Sequence, residues 1–441
     1  MVGRRQILHW LGVDSPTSRT LLVLKLAVFL DMVGVGLYVP LLPFYWRELG
    51  VKTELLGLVA SVYQISQIVS GVVLGYVSDH MSGRKNILLL SFLGSAVSYA
   101  LAGLSYQNSL ISTLVLSRFI VGLVKQTMTI SRAITTSLTT DEDRTRSLSH
   151  LRACATLAFL VGPTMGGLLS KTFNKAVPAY AAAALFVLNA LMVQIVLPND
   201  ISSHAHPAKE KKEETEEEEK KEEEKRKTLV RSNSTGAVQG IRDLLEKEGL
   251  GSLTLIKFLN SVFVAACHVF SSKYVTEKYE LEPHHMGYLS SYQSLVSLAS
   301  QTYLVAAISK RFGEERTLQA AFLVSCMVSV LEGFSQHILI YAALIPIRTL
   351  SGDLISQMFE TLFTSIVPKS EAASAFGTLG LLKAIARVGG PLYGGLLFAH
   401  VGTRLGFNAR PAVESIHNFF VLAMLLYAYP ILHRANKQKQ A

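Results

Sequence analysis

Residues 162–169 read GPTMGGLL, and residues 390–397 read GPLYGGLL. The two stretches lie 228 positions apart, and each places glycine and proline, which both weaken a helix, in an apolar context. Two further phrases recur at nearly the same distance: Tyr63-Gln64 with Tyr292-Gln293, and Arg118-x-x-x-Gly122 with Arg348-x-x-x-Gly352. Similarity within one chain at a fixed spacing indicates duplication. The sequence therefore predicts two related halves.

The composition is that of a membrane protein. Half of the 441 residues are hydrophobic, 17% are charged and the mean hydropathy is positive. Apolar runs of the length that crosses a bilayer as a helix, about 17–25 residues, fall into two sets of six. They cover 22–45, 55–77, 86–105, 109–131, 150–170, 177–197, and then 252–272, 286–308, 316–334, 337–366, 374–398, 416–433. We expect an all-α membrane protein of about 12 transmembrane helices in two six-helix bundles.

A charged segment separates the halves. It contains KEKKEETEEEEKKEEEKRK, whose acidic and basic residues nearly cancel. The predicted organisation is an N-terminal tail (1–21), a first bundle (22–197), a linker (198–250), a second bundle (251–433) and a C-terminal tail (434–441). Six spans in each half bring both halves into the membrane in one orientation, as parallel repeats. Basic residues concentrate in loops such as Arg84-Lys85 and Lys310-Arg311, which predicts that both termini and the linker are cytoplasmic.

The charge and cysteine content limit the partners. The net charge of +10 belongs to the short loops, where it orients the chain, so we expect no nucleic-acid partner. The linker is either a flexible tether or a solvated helix. Its Ser232 and Ser234 follow a basic run and are either unmodified or a site for kinases or other cytoplasmic partners. We expect no cofactor, metal or enzymatic activity, because phosphate-loop, metal-ligand and nucleophile–base patterns are missing.

Ionisable residues inside the spans are candidates for function, because each costs roughly 2.5–3.5 kcal/mol to insert. Asp31 lies in the first span and Asp353 in the tenth, while Arg118 and Lys125 lie in the fourth. Arg118, Lys125 and Arg132 are seven apart, which places them on one stripe of a continuous helix. At the repeat distance of 228, Asp353 matches Lys125, so stripes of opposite sign are expected to face a shared polar space.

Several motifs resemble those of one transporter family. The order of Gly75, Asp79, Gly83, Arg84 and Lys85 in GYVSDHMSGRKNILLL resembles the signature loop of the major facilitator superfamily, although His80 stands where arginine is usual. Arg118 and Gly122 resemble its fourth-helix motif, and GPTMGG resembles the fifth-helix motif of its antiporters. The first span is similar to the tetracycline-resistance and vesicular amine carriers of the drug:proton antiporter branch. ISRAITTSLTTDEDR more loosely resembles the organic-cation-transporter-like carriers.

The resemblance implies the major facilitator fold and proton-coupled antiport of a small organic solute by alternating access. It implies that Asp79 pairs with Arg84 as a conformational latch. Two pairs, Gly162-Pro163 and Gly390-Pro391, are expected to be pivots between the halves or simply sites of tight packing.

We further expect Asp31 to bind a proton and a cationic solute, with Arg118 keeping the carboxylate ionised when the two are close. The repeated pairs provide candidates for neutral substrate contacts: Tyr63, Gln64, Tyr292, Gln293.

Other functions remain open at this point. The same fold supports uncoupled facilitators, and Lys257, Lys383 and Arg387 leave an organic anion as an alternative solute. A membrane scaffold whose linker recruits partners is an alternative of another class. The expected partners are a small solute, protons and the lipid bilayer, in either the plasma membrane or an endomembrane.

Overall fold

The computed structural model describes residues 16–80, 83–198, 250–367 and 372–440, which are almost entirely helical. Ten helical segments in this described part are long and apolar enough to cross a membrane. The eighth and eleventh predicted spans also form long helical segments, but a π-helical turn interrupts the eighth, and the eleventh is rich in glycine. The predicted all-α membrane fold is confirmed.

The first half begins with a span that changes helix type near its end. It runs as an α-helix over Pro16–Tyr38, then as a 3-10 turn over Val39–Leu41, then as a short helix over Leu42–Glu48. The next spans are Thr53–His80 and Arg84–Asn108, followed by a fourth span in two pieces, Ile111–Val124 and Thr127–Leu138. The fifth and sixth spans are Asp141–Thr172 and Val177–Val196.

The second half follows the same plan. Its first helix, the seventh span, is Leu250–Lys278. The eighth span comprises Pro283–Ala299, the π-helical turn Ser300–Leu304 and Val305–Phe312. The ninth to twelfth spans are Glu314–Phe334, Ile338–Ile366, Ala372–Leu405 and Ala409–Gln440. The twelfth helix begins seven residues before the expected 416, which brings Arg410 and Glu414 into it.

The chain forms two compact units. The first contains the described parts of residues 1–205, 268–298 and 391–400, and its core packs Phe92 and Phe186 with apolar side chains of the first span. The second contains the described parts of residues 206–267, 299–390 and 401–441. Its core includes Phe322, Phe359 and Phe363, from the ninth and tenth spans.

The repeated Gly-Pro-x-x-Gly-Gly phrase allows close helix crossing in both repeats. In the fifth span, a Cβ on Gly162 would lie 2.9 Å from the Cα of Gly36 in the first span. In the eleventh span, a Cβ on Gly390 would lie 2.6 Å from both the Cβ of Ala265 and the carbonyl oxygen of Val262 in the seventh. Real Cβ contacts are longer, so both crossings need glycine. The first and seventh spans are repeat equivalents, and each is packed by the repeated phrase.

Candidate functional site

An ion pair inside the first unit joins the first and fourth spans. Lys125 Nζ lies 2.5 Å from Asp31 Oδ1, with the Asp31 side chain fully buried and Lys125 9% exposed. Lys125 Nζ also lies 4.5 Å from the centre of the Phe186 ring in the sixth span. A buried charge that loses its partner is strongly destabilising. The protonation state of Asp31 and the position of Lys125 are therefore coupled.

The fourth span is broken at this ion pair. Lys125 (φ −74°, ψ 84°) and Gln126 (φ −122°, ψ 14°) depart from helical geometry. The Gln126 amide N–H donates to Ser91 Oγ at 3.2 Å, and its side-chain Nε2 donates to Ser70 Oγ at 2.9 Å. The bond from the backbone N–H takes the place of a helical one, and the side-chain bond holds Gln126 against the second span. The fourth span is therefore not one continuous helix, and the shared face of Arg118, Lys125 and Arg132 stays a prediction. Broken spans commonly hold ions or solutes in transporters.

Arg118 does not form an ion pair with Asp31, whose partner is Lys125. The Arg118 Cζ atom lies 5.1 Å from the ring centre of Tyr38 and 5.3 Å from that of Tyr99. Its Nε donates to Ser117 Oγ at 3.5 Å, and the side chain is 8% exposed. Among the described residues, no carboxylate lies within ion-pair distance of it. One turn later, a Cβ on Gly122 would meet the Tyr63 carbonyl oxygen at 2.8 Å. The Arg-x-x-x-Gly phrase thus combines a buried cation with a close crossing of the second span.

The four residues predicted to be neutral substrate contacts, and Asp353, differ in their exposure and in their hydrogen-bond partners. In the second span, Gln67 Nε2 donates to the Tyr63 hydroxyl at 3.2 Å, and Gln64 is partly buried. In the eighth span, Tyr292 and Gln293 are exposed. Asp353 accepts a hydrogen bond of 3.1 Å from Gln301, which belongs to the π-helical turn of the eighth span. The roles of all these residues stay predictions.

The signature loop is described in part. Arg84 Nη1 donates to Ser137 Oγ at 2.9 Å, and Lys85 Nζ donates to the carbonyl oxygens of Gln194 (3.0 Å) and Leu197 (2.7 Å) at the end of the sixth span. The side chain of Asp79 lies outside the described residues, and so do Ser232 and Ser234. The Asp79–Arg84 latch therefore stays a prediction.

A ring of four charged side chains in the second unit, two of them buried and two partly buried, escaped the sequence reasoning. Arg410 donates to Glu332 Oε2 at 3.0 Å and to Glu414 Oε2 at 2.8 Å. Arg348 lies 3.5 Å from Glu332 Oε1 and 3.7 Å from Glu414 Oε1. Two carboxylates thus alternate with two guanidinium groups, which satisfies the pairing that buried charges require. The i, i+4 spacing of Arg410 and Glu414 was the available signal.

Lys257 of the seventh span and Lys383 of the eleventh border a small cavity. Its lining also includes Phe258 and Leu379. Lys383 forms a 2.7 Å ion pair with Glu360 of the tenth span. Lys257 Nζ lies 5.8 Å from the centre of the Phe363 ring. Within the described parts of the chain, no group of three or more His, Cys, Asp or Glu residues could hold a metal ion.

Comparison with known proteins gives consistent matches. A sequence model of the Major Facilitator Superfamily matches residues 24–391. Human solute carrier family 67 member A1 is 21% identical over 99% of this chain and 95% of its own length. The class C tetracycline resistance protein of Escherichia coli is 24% identical over 85% of this chain and 89% of its own. The crystal structure of the human organic anion transporter MFSD10 (TETRAN) has a TM-score of 0.59 and 18% identity, and the match covers 93% of this chain and 100% of that one.

Proposed function

The chain belongs to the major facilitator superfamily, and from this premise we propose that it moves a small organic solute across a membrane by alternating access, in antiport with protons. It is a multi-pass integral membrane protein and a transporter by family. The observation that carries the proposed coupling is the buried ion pair of Asp31 with Lys125 at the break of the fourth span.

The coupling follows from the charge balance of this pair. When Asp31 is ionised, the pair is neutral and stable in its buried position. When Asp31 takes up a proton, Lys125 is left as an uncompensated buried cation, which is strongly unfavourable. Protonation therefore favours a second arrangement in which Lys125 leaves Asp31. A ligand or proton shifts a conformational equilibrium by its differential affinity for the two states, as this exchange requires.

The broken backbone supplies a part that can move. The segment that starts at Thr127 is joined to the preceding helix through two residues without helical geometry, Lys125 and Gln126. A shift of Lys125 therefore needs no rupture of a continuous helix. We propose that the fourth span transmits the protonation of Asp31 to the solute pathway.

The test is uptake into proteoliposomes with an imposed pH gradient, after a broad solute screen has found a transported compound. We expect Asp31→Asn, which removes the titrating group and keeps its shape, to lose the response to the pH gradient. Glu48→Gln is the matched control, because Glu48 pairs with Lys175 in a partly exposed position. A pH-gradient response in Asp31→Asn equal to that of the wild type would reject the role of Asp31.

A second candidate is transport of an organic anion. Two lysines border the small cavity of the second unit, and Lys257 is only 7% exposed. The solved structure of a human organic anion transporter is among the similar folds. The same uptake assay separates the candidates, since competition by anionic or by cationic compounds identifies the charge of the solute.

A further inference from the structure

The buried charges of the first unit differ in how they are compensated. Among the Asp, Glu, Lys and Arg residues that the structure describes there, four are buried: Asp31, Lys85, Arg118, Lys125. Asp31 and Lys125 neutralise each other. Lys85 donates to carbonyl oxygens at the C-terminal end of the sixth span, where a cation is favourable. Arg118 alone has aromatic rings and a long bond to a serine hydroxyl in place of an anion or carbonyl group.

One nitrogen of Arg118 and the hydroxyl of the neighbouring Tyr38 lack hydrogen-bond partners among the described residues. These two groups, the Arg118 Nη2 atom and the Tyr38 hydroxyl, are both buried. They belong to neighbouring side chains, because the guanidinium carbon lies 5.1 Å from the centre of the Tyr38 ring. An unsatisfied buried donor costs about 1–3 kcal/mol, and more for a charged group. A carboxylate accepts several hydrogen bonds and supplies the missing negative charge.

The arginine at the equivalent position of the second half shows which groups pair with an arginine there. Arg348, the counterpart of Arg118 in the second half, lies close to the carboxylates of Glu332 and Glu414. It also donates to the hydroxyl of Tyr341 at 3.2 Å. An arginine, a tyrosine hydroxyl and carboxylates thus meet in the second unit. The first unit has the arginine and the tyrosine without the carboxylate.

We propose that Arg118 and Tyr38 form a binding site for the carboxylate of a small organic anion whose flat apolar body packs on the rings of Tyr38 and Tyr99. The inference rests on the proposed transport function and assigns the solute to the anionic class. The guanidinium keeps its charge in proteins, so Arg118 binds the anion and does not carry the coupling proton. That task stays with Asp31.

Tyr38 is fully buried, so access to the site requires its ring to move. Tyr38 is the last residue of the α-helical part of the first span, directly before the 3-10 turn Val39–Leu41. The ring that covers the guanidinium therefore stands where the helix changes type. Moving this ring during alternating access leaves the preceding helical hydrogen bonds intact.

The experiment is equilibrium binding of radiolabelled benzoate to the purified full chain at neutral pH, without a pH gradient. Benzamide, which is uncharged and has nearly the same shape, is the matched competitor. We expect saturable benzoate binding that benzamide displaces at least about tenfold less well than unlabelled benzoate, since a hydrogen bond to a charged group contributes about this factor or more. We expect Arg118→Met to weaken benzoate binding by about tenfold or more, and Tyr38→Phe to weaken it by a smaller factor.

Two further variants complete the design. Arg118→Lys keeps the charge and is expected to bind benzoate more tightly than Arg118→Met, which guards against misfolding of the uncharged variant. Arg132→Met removes a cation from the same span and is expected to bind as the wild type does. The proposal is overturned by a wild type without saturable benzoate binding, by equal displacement by benzamide, or by undiminished binding in a folded Arg118→Met.

The two proposals fail separately. The binding assay contains no proton gradient, so its result does not depend on coupling through Asp31. Undiminished benzoate binding by Arg118→Met, together with loss of the pH-gradient response in Asp31→Asn, would reject the anion site alone. The opposite pair of results would reject the coupling role alone.

Discussion

Arg410 and Arg118 are both buried arginines, but their surroundings differ in charge. Arg410 is 1% exposed and lies between the carboxylates of Glu332 and Glu414. Its removal would take away the nearer arginine partner of both carboxylates, and Arg348 lies farther from them. Breaking a buried pair by removing one partner costs roughly 3–5 kcal/mol. We expect Arg410→Met to lower the unfolding temperature of the purified protein markedly.

Arg118→Met is the matched comparison for this prediction. The same substitution breaks no ion pair at Arg118, because no carboxylate among the described residues lies within ion-pair distance of it. We expect a much smaller change in unfolding temperature, measured in the same detergent without added anions. Equal losses in the two variants would mean that the carboxylates beside Arg410 contribute little to stability.

Asp31, Arg118 and Lys125 could be recognised from the sequence as candidates, but their partners could not. Asp31 stands out because a carboxylate is rare in an apolar run. Helical spacing predicted that Arg118 and Lys125 share one face. It did not predict the break at Lys125 and Gln126, or that Lys125 pairs with Asp31 while Arg118 packs on tyrosine rings. The break depends on contacts with Ser91 and Ser70, which are far away in the sequence. Spacing within one helix carries no information about such contacts.

At the level of helices, the crossing of the first and fifth spans tolerates no added side chain. A Cβ on Gly166 would collide with the carbonyl oxygen of Leu37, whereas a Cβ on Gly389, next to the repeated phrase in the eleventh span, would meet nothing within 4 Å. Overpacking of a tight site costs typically about 1–3 kcal/mol. We expect Gly166→Ala to lower the unfolding temperature by that mechanism.

Gly389→Ala is the control, and its expected effect has the opposite sign. In a helix with open space, alanine is favoured over glycine by roughly 0.5–1 kcal/mol. We therefore expect Gly389→Ala to leave the unfolding temperature unchanged or to raise it slightly. A Gly166→Ala variant as stable as its Gly389→Ala counterpart would show that the first and fifth spans have room to separate.

Hydropathy predicted which segments form long helices, but it did not predict where those helices are interrupted. An apolar run reports length and burial, so the number and order of the helices followed from it. The π-helical turn Ser300–Leu304 gave no such signal, and it places Gln301 against Asp353 of another span. The start of the twelfth helix was also missed, because Arg410 and Glu414 are polar and resemble a loop. Both features are stabilised by side chains from other helices.

On the scale of the whole molecule, the two halves of the duplicated chain differ in charge balance at one equivalent position. The equivalent arginines Arg118 and Arg348 sit beside tyrosines in both, but only Arg348 has carboxylates of the chain beside it. In the second unit, carboxylates of the chain therefore compensate the charge of the arginine at this position. In the first unit, the charge of Arg118 has no carboxylate partner among the described residues, and this is the charge that the proposed solute would neutralise. The difference between the two equivalent positions is the reason why we propose that a solute carboxylate binds at Arg118.

Replacing the charged linker distinguishes a transporter from a membrane scaffold that recruits partners. The Glu and Lys blocks of the linker nearly cancel in charge, and the linker lies outside the two sets of apolar runs. Transport by the helices requires a connection of sufficient length and no particular sequence. We expect replacement of residues 205–235 by a Gly/Ser segment of equal length to leave proteoliposome uptake unchanged, while Asp31→Asn abolishes its pH-gradient response. If the replaced linker abolished cellular function and Asp31→Asn preserved it, the chain would act through partners bound at the linker.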